Sequence, residues 1–435
     1  MLGHPLRLQD VFGIAAEVSA ASYVDRGGLD ERFSYVLTTD RHIAIHGDSK
    51  QGKSWLRSRV LKPDEYVLIQ CGVETSPETL FTEALGTLGV RASISTTTTN
   101  ELSGTLDFAG SGELGIKVLA KAKIEGSLEG SASRTSAEVS QPLGETPADM
   151  SWVAATIRES SMRLIIEDFH YVAEGRQRRF AFMLKALGEY GVYPVIVGIW
   201  PQDHLLTYYN GDLEGRVEDI HLQWTDEELN QVLTRGTEAL RIRFSDPLRK
   251  ALVADAYGNV GLLQRLAEQV CLQEGIGEAQ SEVRAIELGA TLEQARAAVA
   301  AQMRGRFQAF ADNFVRGMRR LAEGLEVYRH LLQTFTESTD TELIEGLDSA
   351  ELLNRVGHGI RQSDLTQALV RVDRLQTKIG ISPPVLTYSS ASRKVFVVDR
   401  SFLFYRRYGA PSWPWGEGEA EFTNDLAEAE PLVLD

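Results

Sequence analysis

Gly47-Asp48-Ser49-Lys50-Gln51-Gly52-Lys53-Ser54 decides the reading of this chain. It follows the apolar run His42-Ile43-Ala44-Ile45-His46 and leads into Trp55-Leu56-Arg57-Ser58-Arg59-Val60-Leu61. The pattern is strand, glycine-bounded loop, helix, with the G-x-x-x-x-G-K-S spacing of a phosphate-binding loop. The glycines let backbone N–H groups curl around a polyphosphate with no Cβ in the way. The following helix points its positive N-terminus at the same anion. In this pattern Lys53 reaches the β- and γ-phosphates and the Ser54 hydroxyl holds Mg2+.

Upstream, Tyr23-Val24-Asp25-Arg26-Gly27-Gly28-Leu29-Asp30 is a polar turn before a helix over 31–37. It is either a segment that closes over an adenine base or an ordinary helix-capping turn. Under the first reading Arg26 joins the nucleotide-binding residues, as does Trp55 just past the loop. Downstream, 65–71 is rich in β-branched and aromatic residues and reads as a strand. Thr75 or Ser76 caps a helix over 78–88, with Pro77 in its first turn. Further helices are expected over 150–160 and 177–190, and strands over 193–200 and 217–222. Strands alternating with helices predict an α/β core with a parallel sheet.

Arg163-Leu164-Ile165-Ile166-Glu167-Asp168-Phe169-His170 is an aliphatic strand ending in two acids, a Walker B strand. The first acid usually orders water around Mg2+ and the second polarises the attacking water. Here the order is Glu-Asp rather than Asp-Glu, so the division of labour between Glu167 and Asp168 stays open.

Residues 95–145 break the α/β rhythm. From Leu102 to Ala132 the even positions are mostly apolar or glycine and the odd ones mostly polar. That period of two is a β signal. One hairpin or a three-stranded meander fits, with a turn near Ala109-Gly110-Ser111-Gly112. Its apolar face would pack on the body or a neighbouring subunit. A hairpin entering a membrane has the same alternation, and partial disorder is a third reading.

The 435 residues carry 61 acids against 45 Lys and Arg, a net charge of −16. That balance argues against extensive nonspecific DNA binding, which needs a basic surface. The apolar fraction of 43% is that of a globular protein. No apolar run is long enough for a transmembrane helix, and the N-terminus does not read as a signal peptide. Cys71 and Cys271 sit in apolar segments, which fits buried thiols in a reducing cytoplasm.

Beyond Trp224 the chain turns helical. Thr225-Asp226-Glu227-Glu228 is a capping box. Ser245 and Gly258-Asn259 start further helices. Helices are expected over 292–307 and 310–321, then over 325–336, 349–356 and 363–376, the last capped by Ser363. A hairpin of 384–389 with 394–399 follows. Three helices and a hairpin are the winged-helix plan. Arg371, Arg374, Lys378, Arg393 and Lys394 would meet DNA phosphates there, whereas protein contact is the use that the interspersed acids favour. The expected division is a core over 1–223, a helical lid over 224–285, a linker over 286–324, a winged helix over 325–410 and an acidic flexible tail over 411–435.

As a set, Gly47–Ser54, Leu164–Asp168, Gly258-Asn259 and Lys394-Val395-Phe396-Val397-Val398-Asp399-Arg400-Ser401-Phe402-Leu403 resembles the prokaryotic AAA+/STAND-type P-loop ATPases. The likeness is greatest to those near the origin-recognition and archaeal-type ATPases, and it covers about residues 20–410. It implies ATP and Mg2+ as ligands, a homo-oligomer and a switch that controls a partner or effector, many prokaryotic examples serving phage defence or mobile DNA. It also implies an arginine finger at Arg216, before the last core strand, for a neighbour's γ-phosphate. A γ-phosphate sensor is implied near Gly198-Ile199-Trp200, where Gln202 and His204 are the nearest polar residues. Arg265 stands near the place of a lid sensor. A DNA loader or regulator and a static nucleotide-bound scaffold are the rival readings.

Overall fold

The computed structural model describes residues 5–13, 19–90, 92–94, 106–108, 146–316, 327–356 and 360–414. Helices α1 (Leu8–Phe12) and α2 (Leu29–Leu37) precede β1 (His42–His46), α3 (Lys53–Val60), β2 (Tyr66–Gln70) and α4 (Pro77–Thr87). Then come β3 (Ala92–Ile94), β4 (Leu106–Phe108), α5 (Met150–Glu159), β5 (Arg163–Glu167), α6 (Glu174–Glu189), β6 (Val195–Val197), α7 (Leu205–Tyr209) and β7 (Val217–His221). Five of these strands form one sheet in the order β2-β5-β6-β1-β7, and every neighbouring pair is parallel.

Every residue of β1 is buried. Ile43 and Ile45 pack with Phe33 and Val36 of α2 and Leu56 of α3. Ala44 points the other way, into a core with Phe81, Ile157 and Leu184 from α4, α5 and α6. Helices thus cover both faces, which is why the strand reads as a continuous apolar run. The parallel arrangement brings all five C-terminal strand ends to one edge, where ligands of open α/β sheets bind. The β6 strand is shorter than expected. Gly198 N still donates to Ile45 O of β1 at 3.1 Å, and Trp200, buried, places its carbonyl 3.1 Å from His46 Nδ1 at the end of β1.

The lid consists of α8 (Asp226–Leu240), β8 (Ile242–Phe244), α9 (Asp246–Ala256), α10 (Val260–Gln273) and β9 (Arg284–Ile286). Thr225 and Glu228 form the expected reciprocal capping box, a device that contributes about 1 kcal/mol. Asn259 caps α10 through the Leu262 N–H. The N-terminal α1 packs on this lid, with Phe12 fully buried in its core.

The helices expected over 292–307 and 310–321 run together as one, α11 (Ala290–Arg316), and residues 317–321 lie outside the described residues. No glycine or proline interrupts 307–310, and Phe307, Phe310 and Phe314 share one buried stripe. Next come α12 (Val327–Glu337), α13 (Asp340–Glu345), β10 (Leu347–Asp348), α14 (Ser349–Val356), α15 (Gln362–Val370), α16 (Val372–Lys378), β11 (Leu386–Ser389), β12 (Lys394–Val397) and α17 (Ser401–Tyr408). This is a winged helix with a three-stranded sheet, order β10-β12-β11. Its third helix is broken at Arg371, between the β-branched Val370 and Val372, rather than continuous. Arg361, not Ser363, stands at its N-cap.

In the insert, β3 and β4 pair antiparallel, Ala92 opposite Phe108 and Ile94 opposite Leu106. The rest of the alternating segment, with its expected turn at 109–112, lies outside the described residues, as does the acidic tail from 415. Among the described residues no helix is long and apolar enough to cross a membrane. Both cysteines are free and buried, and burial pushes each thiol up to about 12.

Candidate functional site: a phosphate loop held from two sides

The loop leaves β1 at the C-terminal edge of the sheet. Gly47 has φ +137°, and a Cβ there would lie 2.5 Å from the Leu222 carbonyl oxygen. Gly52 sits at φ +84° before α3. Both positions need glycine for backbone reasons. Lys53, the first residue of α3, donates to the loop's own carbonyls, Gly47 at 3.2 Å and Asp48 at 2.6 Å. Burial pushes its ammonium down to about 8.

Beside the loop lies a cavity of about 520 Å³, bordered by the turn at 22–26, the residues Lys50–Trp55, Glu167, and Trp224, Val232 and Val260 of the lid segment. Its size suits a small-molecule ligand. Arg26 stacks over the Trp224 ring at 4.3 Å. A Cβ on Gly52 would stand 4.0 Å from Arg26 Nη2. Arg26 Nη1 is buried with no hydrogen-bond partner, and burial lowers the guanidinium to about 10. The upstream turn therefore brings a half-buried cation with one unsatisfied buried nitrogen to the phosphate loop, stacked on Trp224, while Val24, Val232 and Val260 supply apolar wall. A cationic end against an apolar end fits a nucleoside triphosphate.

Glu167 ends β5 and accepts from Arg57 Nε of α3 at 2.8 Å, with both side chains almost fully buried. It borders the cavity that Ser54 also lines. Asp168 leaves the strand in the left-handed region at φ +58° and starts a 3-10 turn. Burial, and next the Glu167 charge, raise its carboxyl above the ordinary range, with Lys53 pulling the other way. The two acids are thus in different settings, one ion-paired and one not.

The other expected residues lie elsewhere. Arg216 sits at the opposite edge of the sheet, where its carbonyl accepts from His42 N and its guanidinium pairs with Glu189 at 2.8 Å. It does not approach its own chain's loop. Arg265 turns to Gln302 of α11 at 2.7 Å. Gln202 meets Ser389 of the winged helix, and His204 pairs with Asp219 at 3.0 Å.

Spacing did not foretell what grips the outer side of the loop. From the lid, Asn259 Nδ2 donates to Ser49 O at 3.0 Å, and Gly258 O accepts from Gln51 Nε2 at 3.0 Å. From the winged helix, Val398 O accepts from Ser49 N at 2.9 Å. Arg400 pairs with Asp48 at 2.5 Å and donates to Tyr257 O at 2.9 Å. Asp399 is fully buried. Burial would raise its carboxyl, but Lys50 and Arg306 outweigh that and hold it low. Three successive residues after β12 thus touch or face three successive loop residues. The signal available in sequence was an Asp-Arg pair directly after a strand, which by itself names no partner.

No protein-family model matches the chain, and no curated protein matches it. Among solved structures, it is similar to the Orc1 protein of Aeropyrum pernix, solved in complex with DNA, at a TM-score of 0.43 and 12% identity over 97% of this chain and 98% of that one. It is similar to a Walker-type ATPase of Pyrococcus abyssi at 0.48 and 13%, over 91% and 99%. For Cdc6p of Pyrobaculum aerophilum the values are 0.37 and 12%, over 93% and 98%. The sheet order β2-β5-β6-β1-β7, the glycine loop after β1 and the acid-ended β5 give this chain a P-loop NTPase fold, with a helical segment and a winged helix following it.

Proposed function

We propose that this chain is an ATP-binding and ATP-hydrolysing switch in which the phosphate loop and the C-terminal winged helix read each other. The observation that carries it is the contact of Asp48 and Ser49 with Arg400 and Val398. The loop's first half is bonded to the winged helix, while Lys53, Ser54 and Arg26 border the cavity from its second half and from the upstream turn. A polyphosphate there would take Lys53 off the Gly47 and Asp48 carbonyls. That exchange alters the half of the loop that the winged helix holds.

Gly47–Ser54 would cradle the phosphates, with Lys53 and Arg26 as cations and Trp55 at the mouth. Ser54 and Glu167 would hold Mg2+, which when bound neutralises phosphate charge. Asp168, not ion-paired and with a raised carboxyl, would orient and deprotonate the attacking water. Arg216, on the far edge, would complete the site of a neighbouring copy in a homo-oligomer. Control of a partner or effector, in phage defence or mobile-element biology, extends this reading. The insert at 95–145 would serve assembly, with membrane contact as the lesser use.

One observation favours protein over DNA as the contact of the winged helix. Arg371, Asp373 and Arg374 of its third helix line a cleft of about 510 Å³ whose other wall is Tyr171, Glu174 and Tyr208 of the core. That helix faces protein in this arrangement. The test is ATP turnover and particle size for wild type, Lys53→Ala and Glu167→Gln, with and without duplex DNA. Turnover lost in both variants, with DNA having no effect, supports the reading. Full turnover in Lys53→Ala defeats it. DNA binding that falls steeply with salt would move the winged helix to the DNA reading.

A further inference from the structure

A cluster at the foot of the phosphate loop takes no part in the function proposed above. His46 ends β1, immediately before Gly47, and His221 ends the adjacent β7, paired with it in register. Asp203 follows β6, and Asp219 is on β7 two residues before His221. The His46 ring is wholly buried between Trp200, with ring centroids 5.2 Å apart, and His221, at 4.5 Å. Its Nδ1 lies 3.1 Å from the Trp200 carbonyl oxygen. A carbonyl only accepts, so Nδ1 carries the hydrogen and Nε2 presents its lone pair. That Nε2 has no hydrogen-bond partner. It faces Asp203 Oδ1 at 3.4 Å and Asp219 Oδ1 at 3.6 Å. Asp203 Oδ1 in turn lies 3.0 Å from His221 Nδ1.

A buried lone pair opposed by two carboxylate oxygens is a costly arrangement unless a positive centre lies among them. The spacing fits one. Zinc bound to imidazole and carboxylate at about 2.0–2.1 Å in a tetrahedron holds its ligand atoms about 3.3–3.5 Å apart. His46 Nε2 to Asp203 Oδ1, at 3.4 Å, falls in that range, and Asp203 Oδ1 to His221 Nδ1, at 3.0 Å, lies just under it. The outer contacts also follow the habit of metal sites. The second nitrogen of His46 is fixed by a backbone carbonyl, and Asp219 is held from outside the cluster, its Oδ2 by His204 Nδ1 at 3.0 Å and its Oδ1 by the His204 N–H at 3.3 Å. His221, about a quarter exposed, and Asp203, more than half exposed, are the members with room to turn toward an ion.

We infer that His46, His221 and Asp203 form a site for one divalent transition-metal ion of the zinc class, with Asp219 as the carboxylate beside it. Two imidazoles and a carboxylate, with solvent in the fourth position, select such an ion over Mg2+, which prefers an all-oxygen octahedron. The site is separate from the Ser54 and Glu167 pair. An ion there ties the ends of β1 and β7 together directly beneath Gly47, and so stiffens the base from which the phosphate loop springs.

The test uses the full chain, stripped with a chelator and free of nucleotide. Zinc affinity is measured by competition with a chromophoric chelator, and Co2+ is added to a parallel sample for its visible spectrum. The expected result is one ion per chain with the intense absorption of tetrahedral Co2+. Asp203→Asn and His221→Gln, both at exposed or half-exposed positions, should each weaken zinc binding by about tenfold or more. Both should melt like wild type without metal and lose the rise in Tm that zinc gives wild type. Ser54→Ala should keep wild-type zinc affinity. No stoichiometric ion, an octahedral Co2+ spectrum, or undiminished affinity in both ligand variants would overturn the assignment, leaving a hydrogen-bonded His and Asp cluster. Loss of zinc in Ser54→Ala with retention in the other two would place the ion in the phosphate site and overturn it equally.

Discussion

Asp48, the second residue of the phosphate loop, and Arg400, just past the last strand of the winged helix, form an ion pair at 2.5 Å with side chains 11% and 18% exposed. The pair joins an early part of the chain to a late one and makes the C-terminal domain part of the loop's immediate environment. Burial holds the Asp48 carboxyl above its ordinary range even though Arg400 and Lys53 pull it down. Removing the cation therefore leaves a buried acid without its main partner. Arg400→Ala should lower stability by roughly 1–3 kcal/mol, since loss of one partner strands the other. Asp48→Asn combined with Arg400→Ala should cost less than the two singles added, by about 1 kcal/mol or more. Denaturant titration of the four proteins measures this, and strict additivity would mean that the contact carries no coupling.

Lys53 gives the nucleotide site a pH dependence of definite sign. Its pKa is about 8 in the folded chain against an ordinary 10.5. Between those values the unfolded chain holds the proton and the folded one does not. The nucleotide-free protein accordingly gains stability from this group as pH rises through that window, and has least of it below about pH 8. A bound polyphosphate favours the charged ammonium, so binding takes up a proton above about pH 8. ATP affinity should then fall with pH there, by up to about tenfold per unit. Binding titrations from about pH 7 to 9.5 check this, and Lys53→Met should bind weakly with no such slope.

The unequal settings of Glu167 and Asp168 predict unequal variants. Asp168→Asn should keep the fold and nucleotide binding and lose about 10²–10⁴-fold in turnover, the usual contribution of a general base. Glu167→Gln should also cost stability, because it leaves Arg57 buried with less than its full charge partner. Single-turnover assays and melting curves separate the two. Equal stability loss in both variants would contradict the different roles.

Arg216 is brought nowhere near its own loop, so its proposed role is tested by mixing. Arg216→Ala and Lys53→Ala should each be inactive alone, the former by about 10³-fold or more. Mixed together, they should regain part of the activity, since a Lys53→Ala copy can lend its Arg216 to an intact loop. Wild-type turnover in Arg216→Ala would reduce Arg216 to the partner of Glu189.

What could be read from the sequence was local. The loop, the acid-ended strand, the Thr225–Glu228 capping box and the Asn259 cap are each set within a few residues, and the structure has all of them. What could not be read depends on register and docking. Nothing near His46 announces that His221 stands beside it, because parallel neighbours are joined by long crossovers. Nothing in Val398-Asp399-Arg400 points to residue 48. Arg26 reads from its turn either as part of a base-covering segment or as part of a helix cap, and neither reading foretells that its guanidinium stacks on Trp224 beside Gly52. The added helix α13, with Thr339 and Glu342 as its capping box, did carry a local signal in Thr339-Asp340-Thr341-Glu342.

Hydrogen exchange at residues 48–52 and 394–400, with and without ATP and Mg2+, tests the coupling of nucleotide to winged helix most directly. ATP should change protection in both segments together in wild type and in neither in Lys53→Ala. In Arg400→Ala it should change the loop alone. Protection of the loop by ATP with no change at 394–400 in wild type would contradict the proposal that the two read each other.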